Sequence, residues 1–144
     1  MLVSEGGKPS QVVLRRSVST AYYAMFHALA ANGANLLVGG IGASRNDEAW
    51  RQVYRALEHG AAKNACNDKT RLASFPQGIQ DFGNMFVAMQ EKRHKADYDP
   101  MARFSKSTVQ QDINAVDQAV RDLNSESKRD RRAFAAYVLF KFRK

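Results

Sequence analysis

The apolar residues of this chain recur at steps of three and four residues, and this spacing restricts the fold more than any other feature. The clearest run begins at Val109 and continues through Ile113, Val116, Val120 and Leu123. Its steps place these side chains on one face of an α-helix. Outside residues 134–142, no long run has the two-residue period of a strand. The spacing predicts an all-α protein, an up-and-down antiparallel bundle of four to five helices.

Residues that can cap helices indicate where the predicted helices begin. Helix one is expected to run from about Ser10 to about Leu37. Three further starts are predicted from capping pairs: Ser44 with Asp47, Ser74 with Gln77, and Ser107 with Gln110. A fifth helix would begin at Ser127 with Asp130, although the apolar run 134–142 also fits a strand. The expected core comprises Leu14, Val18, Tyr22, Met25, Trp50, Leu57, Phe82, Phe86, Ile113 and Val116.

Length and composition indicate one globular domain. The chain has 144 residues, of which 44% are apolar and 25% charged, enough for a single core. We expect a flexible lead-in at residues 1–9, a helical bundle at 10–126, and a basic C-terminal helix or tail at 127–144. No run approaches the roughly 20 apolar residues that span a bilayer, and the N-terminus lacks the pattern of a secretory signal. These features predict a cytoplasmic protein without a membrane segment.

The motifs of several common sites are absent from the sequence. The single Cys66 excludes an intrachain disulfide and a multi-cysteine zinc site. No histidine has a second histidine or a carboxylate at convincing ligand spacing. The sequence also lacks a phosphate loop, a dinucleotide fingerprint and a Gly-x-Ser-x-Gly elbow. We therefore expect neither a metal nor a cofactor.

Positive charge is concentrated at the C-terminus. The chain carries a net charge of +8, and residues 127–144 contribute seven basic side chains against Asp130. Such a segment can attract phosphate backbones or acidic partners, and it can equally serve as a solvated helix start that aids solubility. Arg129, Arg131 and Arg132 are the candidate binding residues of this segment, and RNA is the candidate partner.

Helix one contains a polar face that could carry chemistry. Arg16, Tyr23 and His27 are separated by seven and four residues, so they share one face. A cation, a phenol and an imidazole could together bind a phosphate and shuttle a proton. Alternatively, the tyrosine and histidine are buried and satisfied by interhelical hydrogen bonds. A neighbouring line on the same helix carries Arg15, Ser19 and Tyr22.

A second polar segment, residues 93–100, closes the third predicted helix. It combines three basic residues, two carboxylates and a phenol, and Pro100 disfavours helical geometry at the residue before it. Basic residues in a last turn can also simply complement the helix dipole. We expect this segment to meet the helix-one face in one polar pocket near a dimer axis. Arg93 should pair with Asp97 or an anion, and Tyr98 should hydrogen-bond across the bundle.

These two segments together carry a family resemblance. Residues 16–29, RSVSTAYYAMFHAL, resemble the first-helix signature of small stand-alone HEPN-domain proteins, and residues 93–98 resemble the Arg-x-x-Ala-Asp-Tyr segment of the same branch. The resemblance covers roughly residues 12–123. It implies a bundle of four or five helices that is usually a homodimer and is often encoded beside a minimal nucleotidyltransferase. Many members of the family are metal-independent ribonucleases or toxins.

The chain departs from the ribonuclease motif of that family, which is an arginine and a later histidine with four to six other residues between them. No arginine here has a histidine at that separation. The leading interpretation is therefore an RNA-associated or nucleotidyltransferase-partner protein of a toxin–antitoxin or defence-type system. His94 and Asp97 join Arg16 and Tyr23 as candidate binding residues.

Two alternatives remain open at this point. In the first, the protein is an active metal-independent endoribonuclease in which Arg93 stabilises the phosphorane and His27 or His94 is the base. Tyr98 would then orient the phosphate, and Asp97 would hold the arginine or the histidine. In the second, the protein is a structural oligomer without a ligand.

Overall fold

The protein is described by a computed structural model over residues 10–141, in which seven helices and no strand are found. The predicted all-α fold is thereby confirmed for this range, whereas the lead-in at residues 1–9 lies outside it. The helices are α1 (Gln11–Leu37), α2 (Asp47–Ala56), α3 (His59–Asn67), α4 (Lys69–Leu72), α5 (Gln77–Tyr98), α6 (Lys106–Ser125) and α7 (Lys128–Leu139). None of them is long and apolar enough to cross a membrane.

The long helix α1 is the centre of the bundle. It packs against α2, α5, α6 and α7, while α5 also packs against α3 and α6. One continuous core results, because the apolar stripes of these helices meet around α1. Its largest fully buried side chains include Tyr22, Phe82, Phe86, Phe134, Met25 and Leu29.

Side-chain caps set most helix starts, though not always at the predicted serine. Ser10 begins α1 and Ser127 begins α7, as expected, and each accepts a backbone N–H three residues on. Asn46 caps α2 instead of Ser44, since its Oδ1 accepts the Ala49 N–H at 2.9 Å. Ser105 likewise caps α6 instead of Ser107. In α5 the N-cap position belongs to Pro76, not Ser74, and no side chain caps it.

The predicted second helix is interrupted at Leu57. Residues 57 and 58 are extended, and the backbone turn directs the Leu57 side chain into the core, where it is 5% exposed. Trp50 was expected in the core, and this expectation is wrong because the ring is only partly buried. It stacks on Tyr54 and donates its Nε1–H to Asn35 Oδ1 at 2.9 Å. The interruption also brings His59, the first residue of α3, against α1.

Helix α7 belongs to the same core as the rest of the bundle. It is helical through Leu139, which resolves the choice between helix and strand for the described residues. Phe134, Ala135 and Val138 are buried against α1 and α3. Removing residues 128–144 would therefore open the core, so the charge of this segment has to be tested by single substitutions.

Candidate functional site

The C-terminus of α5 is held against α1 by Arg15. Its guanidinium donates to the carbonyl oxygens of Ala96 and Asp99, both at 2.9 Å, and also to that of Ala102. Longer contacts reach Lys95 O and Pro100 O, each at 3.4 Å. Carbonyls in a last turn lack helical partners and carry the negative end of the helix dipole, so a forked cation is a suitable cap. These contacts hold the backbone of the last turn of α5 against α1.

Arg93 lies one helical turn before that end and packs on two tyrosine rings. Its guanidinium carbon is 5.0 Å from the centroid of Tyr22 and 5.8 Å from that of Tyr23, which are cation–π distances. The side chain is only 14% exposed. Its Nε is buried and has no hydrogen-bond partner among the described residues. A buried N–H of a cation is costly to leave unpaired, so the hydrogen-bonding capacity of Arg93 is not fully satisfied within the described residues.

Asp97 is the carboxylate nearest to Arg93, but it is bound more closely by another residue. Its Oδ2 lies 3.5 Å from Arg93 Nη1, whereas its Oδ1 accepts the Ser19 hydroxyl at 2.6 Å. The expected pairing of Arg93 with Asp97 is present, at the long end of hydrogen-bond distances. The positive charge of Arg93 is therefore only partly compensated.

His59 completes the surroundings of Arg93 and was not singled out by the sequence. Its Nδ1 lies 2.5 Å from the Tyr22 hydroxyl, and its ring stacks on Phe26 with 3.9 Å between centroids. Burial, followed by the charges of Arg93 and His27, lowers the pKa of His59. Burial raises the pKa of Tyr22 to about 12, although Arg93 opposes the shift. We therefore assign the shared proton to Tyr22, which leaves His59 neutral. We call Tyr22, Tyr23, His59, Arg93 and Asp97 the Arg93 cluster.

His27 adjoins this cluster from the next turn of α1. Its Nδ1 lies 2.5 Å from the Tyr54 hydroxyl, and its ring centroid is 6.3 Å from that of Tyr23. Tyr54 is in turn stacked on Trp50. The rings of Tyr23, His27, Tyr54 and Trp50 thus form a row from the Arg93 cluster to α2. His27 lies within this row, and His59 lies in the cluster at its start.

No family model, curated protein or solved structure matches this chain. What the site can do therefore has to be inferred from its own geometry. A guanidinium beside a neutral imidazole that keeps its proton on Nε2 can donate hydrogen bonds to a phosphate. Among the described residues, no group of three or more His, Cys, Asp or Glu side chains could hold a metal ion.

The structure brings together only some of the predicted site residues. Arg93, Asp97, Tyr23 and His27 lie along one connected surface, as expected. Within residues 10–141 Tyr98 makes no hydrogen bond across the bundle, and that expectation is wrong. Its ring is 66% exposed, because it follows the buried Ala96 by two residues and therefore projects away from the core.

His94 and Arg16 also lie outside the Arg93 cluster. The His94 ring packs beside Tyr98, with 4.9 Å between centroids, on the exposed side of α5. Arg16 is exposed, and no hydrogen bond or ion pair within the described residues involves it. Its neighbour Arg15 makes the contacts with α5 instead. The line of Arg15, Ser19 and Tyr22 is thus the one that faces the C-terminal segment of α5.

The three predicted binding arginines of α7 have different environments. Arg131 makes hydrogen bonds within the fold: its Nε donates to Glu126 O at 3.0 Å, and its own carbonyl oxygen accepts from the Asn32 side chain. Arg129 and Arg132 are exposed. These two remain candidates for contact with an external anion.

Proposed function

We propose that the protein is a HEPN-like, RNA-associated binding protein in which the Arg93 cluster holds a phosphate of the RNA backbone. One observation carries the proposal: Arg93 is a mostly buried cation with an unpaired Nε and a single distant carboxylate. Tyr22 and Tyr23 support the guanidinium from the side of α1 and keep it in place before RNA arrives. Such preorganisation reduces the entropy that binding costs.

The test is RNA binding by fluorescence anisotropy, with Arg93→Met as the decisive variant. Methionine keeps an apolar chain over the tyrosine rings but removes the charge and the donors. We expect affinity to fall at least tenfold, or about 1.4 kcal/mol. Arg121→Met on α6 is the matched control, because it removes one exposed arginine elsewhere on the bundle. Equal affinities of the two variants, at equal thermal stability, would refute the proposal.

A metal-independent ribonuclease is the second candidate, and His59 is the observation that favours it. When Tyr22 donates to its Nδ1, the neutral His59 keeps its own proton on Nε2, and this N–H can hydrogen-bond a phosphate oxygen while the guanidinium stabilises the charge on phosphorus. In this version His27 is the imidazole that accepts the proton of the attacking hydroxyl. Incubation of labelled RNA in EDTA distinguishes the candidates. Cleavage that is lost in His59→Asn or His27→Gln would establish the enzyme, whereas intact RNA would support the binding protein.

The cellular setting is proposed from the HEPN resemblance. It supports a cytoplasmic homodimer that works with a minimal nucleotidyltransferase in a toxin–antitoxin or defence-type system. An adjacent gene for such an enzyme, together with co-purification of the two proteins, would support this setting. A stable oligomer that binds neither RNA nor a nucleotidyltransferase would instead favour a purely structural role.

A further inference from the structure

A second concave surface lies between α7 and the turn that joins α4 to α5. It is an open cleft of about 620 Å³ that shares no residue with the Arg93 cluster. Ala133 and Ala136 form its floor on the α7 side, and their small side chains keep the cleft open. Thr70 and Ser74 lie opposite. The cleft is thus large enough for a flat aromatic group and has polar atoms along one wall.

The charges around this cleft favour an anionic occupant. Arg71 and Lys141 both line it, and among residues 10–141 no carboxylate does. Arg129 and Arg132 extend the positive surface, because they precede Ala133 and Ala136 by four residues and so share their face of α7. Asp68 contacts Arg71 at 3.7 Å, and it borders the neighbouring hollow instead of the cleft. We therefore expect an anionic chain to lie along the α7 side of the cleft.

Aromatic side chains also line the cleft. Phe75 and Tyr137 line it with 5.5 Å between centroids, and Phe75 is packed edge-on against the buried Phe134. Phe140 also lines the cleft, yet its side chain is 61% exposed. Two rings are thus held in place by the core, and a third is open to solvent at the end of α7. Cationic grooves with aromatic platforms are the usual means of binding single-stranded nucleic acids, since bases stack on the rings.

We propose that this cleft binds a single-stranded segment of RNA. One base stacks on Phe140, and the flanking phosphates contact Lys141 and Arg132. The proposal rests on the proposed function, because it adds a second contact for the RNA held at Arg93. A protein helix fits less well, since the rim of the cleft is cationic and Thr70 and Ser74 add hydroxyl groups to the wall opposite α7.

The experiment measures anisotropy of a fluorescent oligouridine of about ten nucleotides at several salt concentrations. Phe140→Ala should weaken binding about tenfold through loss of one stacked base. Ile41→Ala is its matched control, because Ile41 is 97% exposed and lies in the loop between α1 and α2. Lys141→Gln should lower the slope of log affinity against log salt by about 0.7, the value for one phosphate of a single strand. Arg121→Gln should leave it unchanged.

Photocrosslinking with 4-thiouridine in the same oligonucleotide locates the contact directly. Crosslinks to peptides of α7 or of residues 70–75 would support the proposal. Crosslinks confined to α1 and α5, with Phe140→Ala unaffected, would overturn it and leave the Arg93 site intact. Weaker binding in Arg93→Met, with crosslinking in α7 preserved at high RNA concentration, would support the proposal and separate the two sites. If Phe140→Ala alters self-association in sedimentation but not RNA binding, the cleft holds a second protein copy and the proposal fails.

Discussion

Replacing Arg15 with alanine should destabilise the protein strongly although the residue lies on a helix surface. The substitution removes two hydrogen bonds of 2.9 Å and a third, to Ala102 O, from the C-terminus of α5. It also removes a cation from above the Phe104 ring, 5.6 Å from its centroid. Hydrogen bonds to charged groups contribute roughly 1.5–3 kcal/mol each, and partial exposure with mutual dependence reduces their sum. We expect a loss of about 3 kcal/mol.

The adjacent Arg16 provides a control of the same chemistry. Arg16→Ala removes the same side chain from the same helix at an exposed position, so its effect should stay within about 0.5 kcal/mol. Urea unfolding followed by circular dichroism measures both values, and thermal unfolding should show a decrease of roughly 10 °C for Arg15→Ala alone. Arg15→Lys should be intermediate, since an ammonium group cannot reach several carbonyls at once. Equal stability of Arg15→Ala and Arg16→Ala would refute the assignment of a structural clamp.

Two further predictions concern packing and protonation. Gly78→Ala should cost about 1–3 kcal/mol in urea unfolding, because its Cβ would lie 2.5 Å from Glu126 Oε2 and 2.8 Å from a carbonyl oxygen of α6. Gly60→Ala meets open space and should stabilise α3 by about 0.5–1 kcal/mol; a larger loss there than at Gly78 would contradict the packing. The lowered pKa of His59 means that the unfolded chain takes up the proton first as pH falls below about 6.5. Stability should therefore be retained above that pH and decline below it, and His59→Gln should lessen this decline.

The spacing of the apolar residues predicts most of the helices, but it does not predict that the second helix is interrupted at Leu57. The stripe of α6 and the limits of α1 follow from apolar periodicity and local capping, which depend on residues close in sequence. The break at Leu57 has no proline or helix-terminating glycine to announce it. It depends on long-range contacts of the residues around it, namely the burial of Leu57 and the stacking of His59 on Phe26. Such tertiary contacts override local propensity.

The meeting of α1 with the C-terminal part of α5 was predicted, but Arg15 and Tyr22 contact α5 beside Tyr23, where Arg16 was expected. Adjacent helical lines differ by about 100° of rotation, and both contain an arginine and a tyrosine. Which line faces α5 depends on how the two helices pack, and the buried Tyr22 decides it in favour of Arg15. The sequence did contain a usable signal, since Tyr22 falls on the apolar stripe with Val18 and Met25. The contribution of His59 could not be found in this way, because it arrives from a different helix.

The clamp at Arg15 and the cluster at Arg93 depend on the same turns of α5. By holding the carbonyl of Ala96, Arg15 fixes the backbone beside Asp97 and thereby the reach of its carboxylate. That carboxylate lies 2.6 Å from Ser19 Oγ and 3.5 Å from Arg93 Nη1, so the serine binds it more closely. A carboxylate drawn closer to Arg93 would neutralise the cation and compete with an incoming phosphate. The hydrogen bond from Ser19 therefore helps to keep the guanidinium available, and Ser19→Ala should weaken RNA binding without a comparable loss of stability.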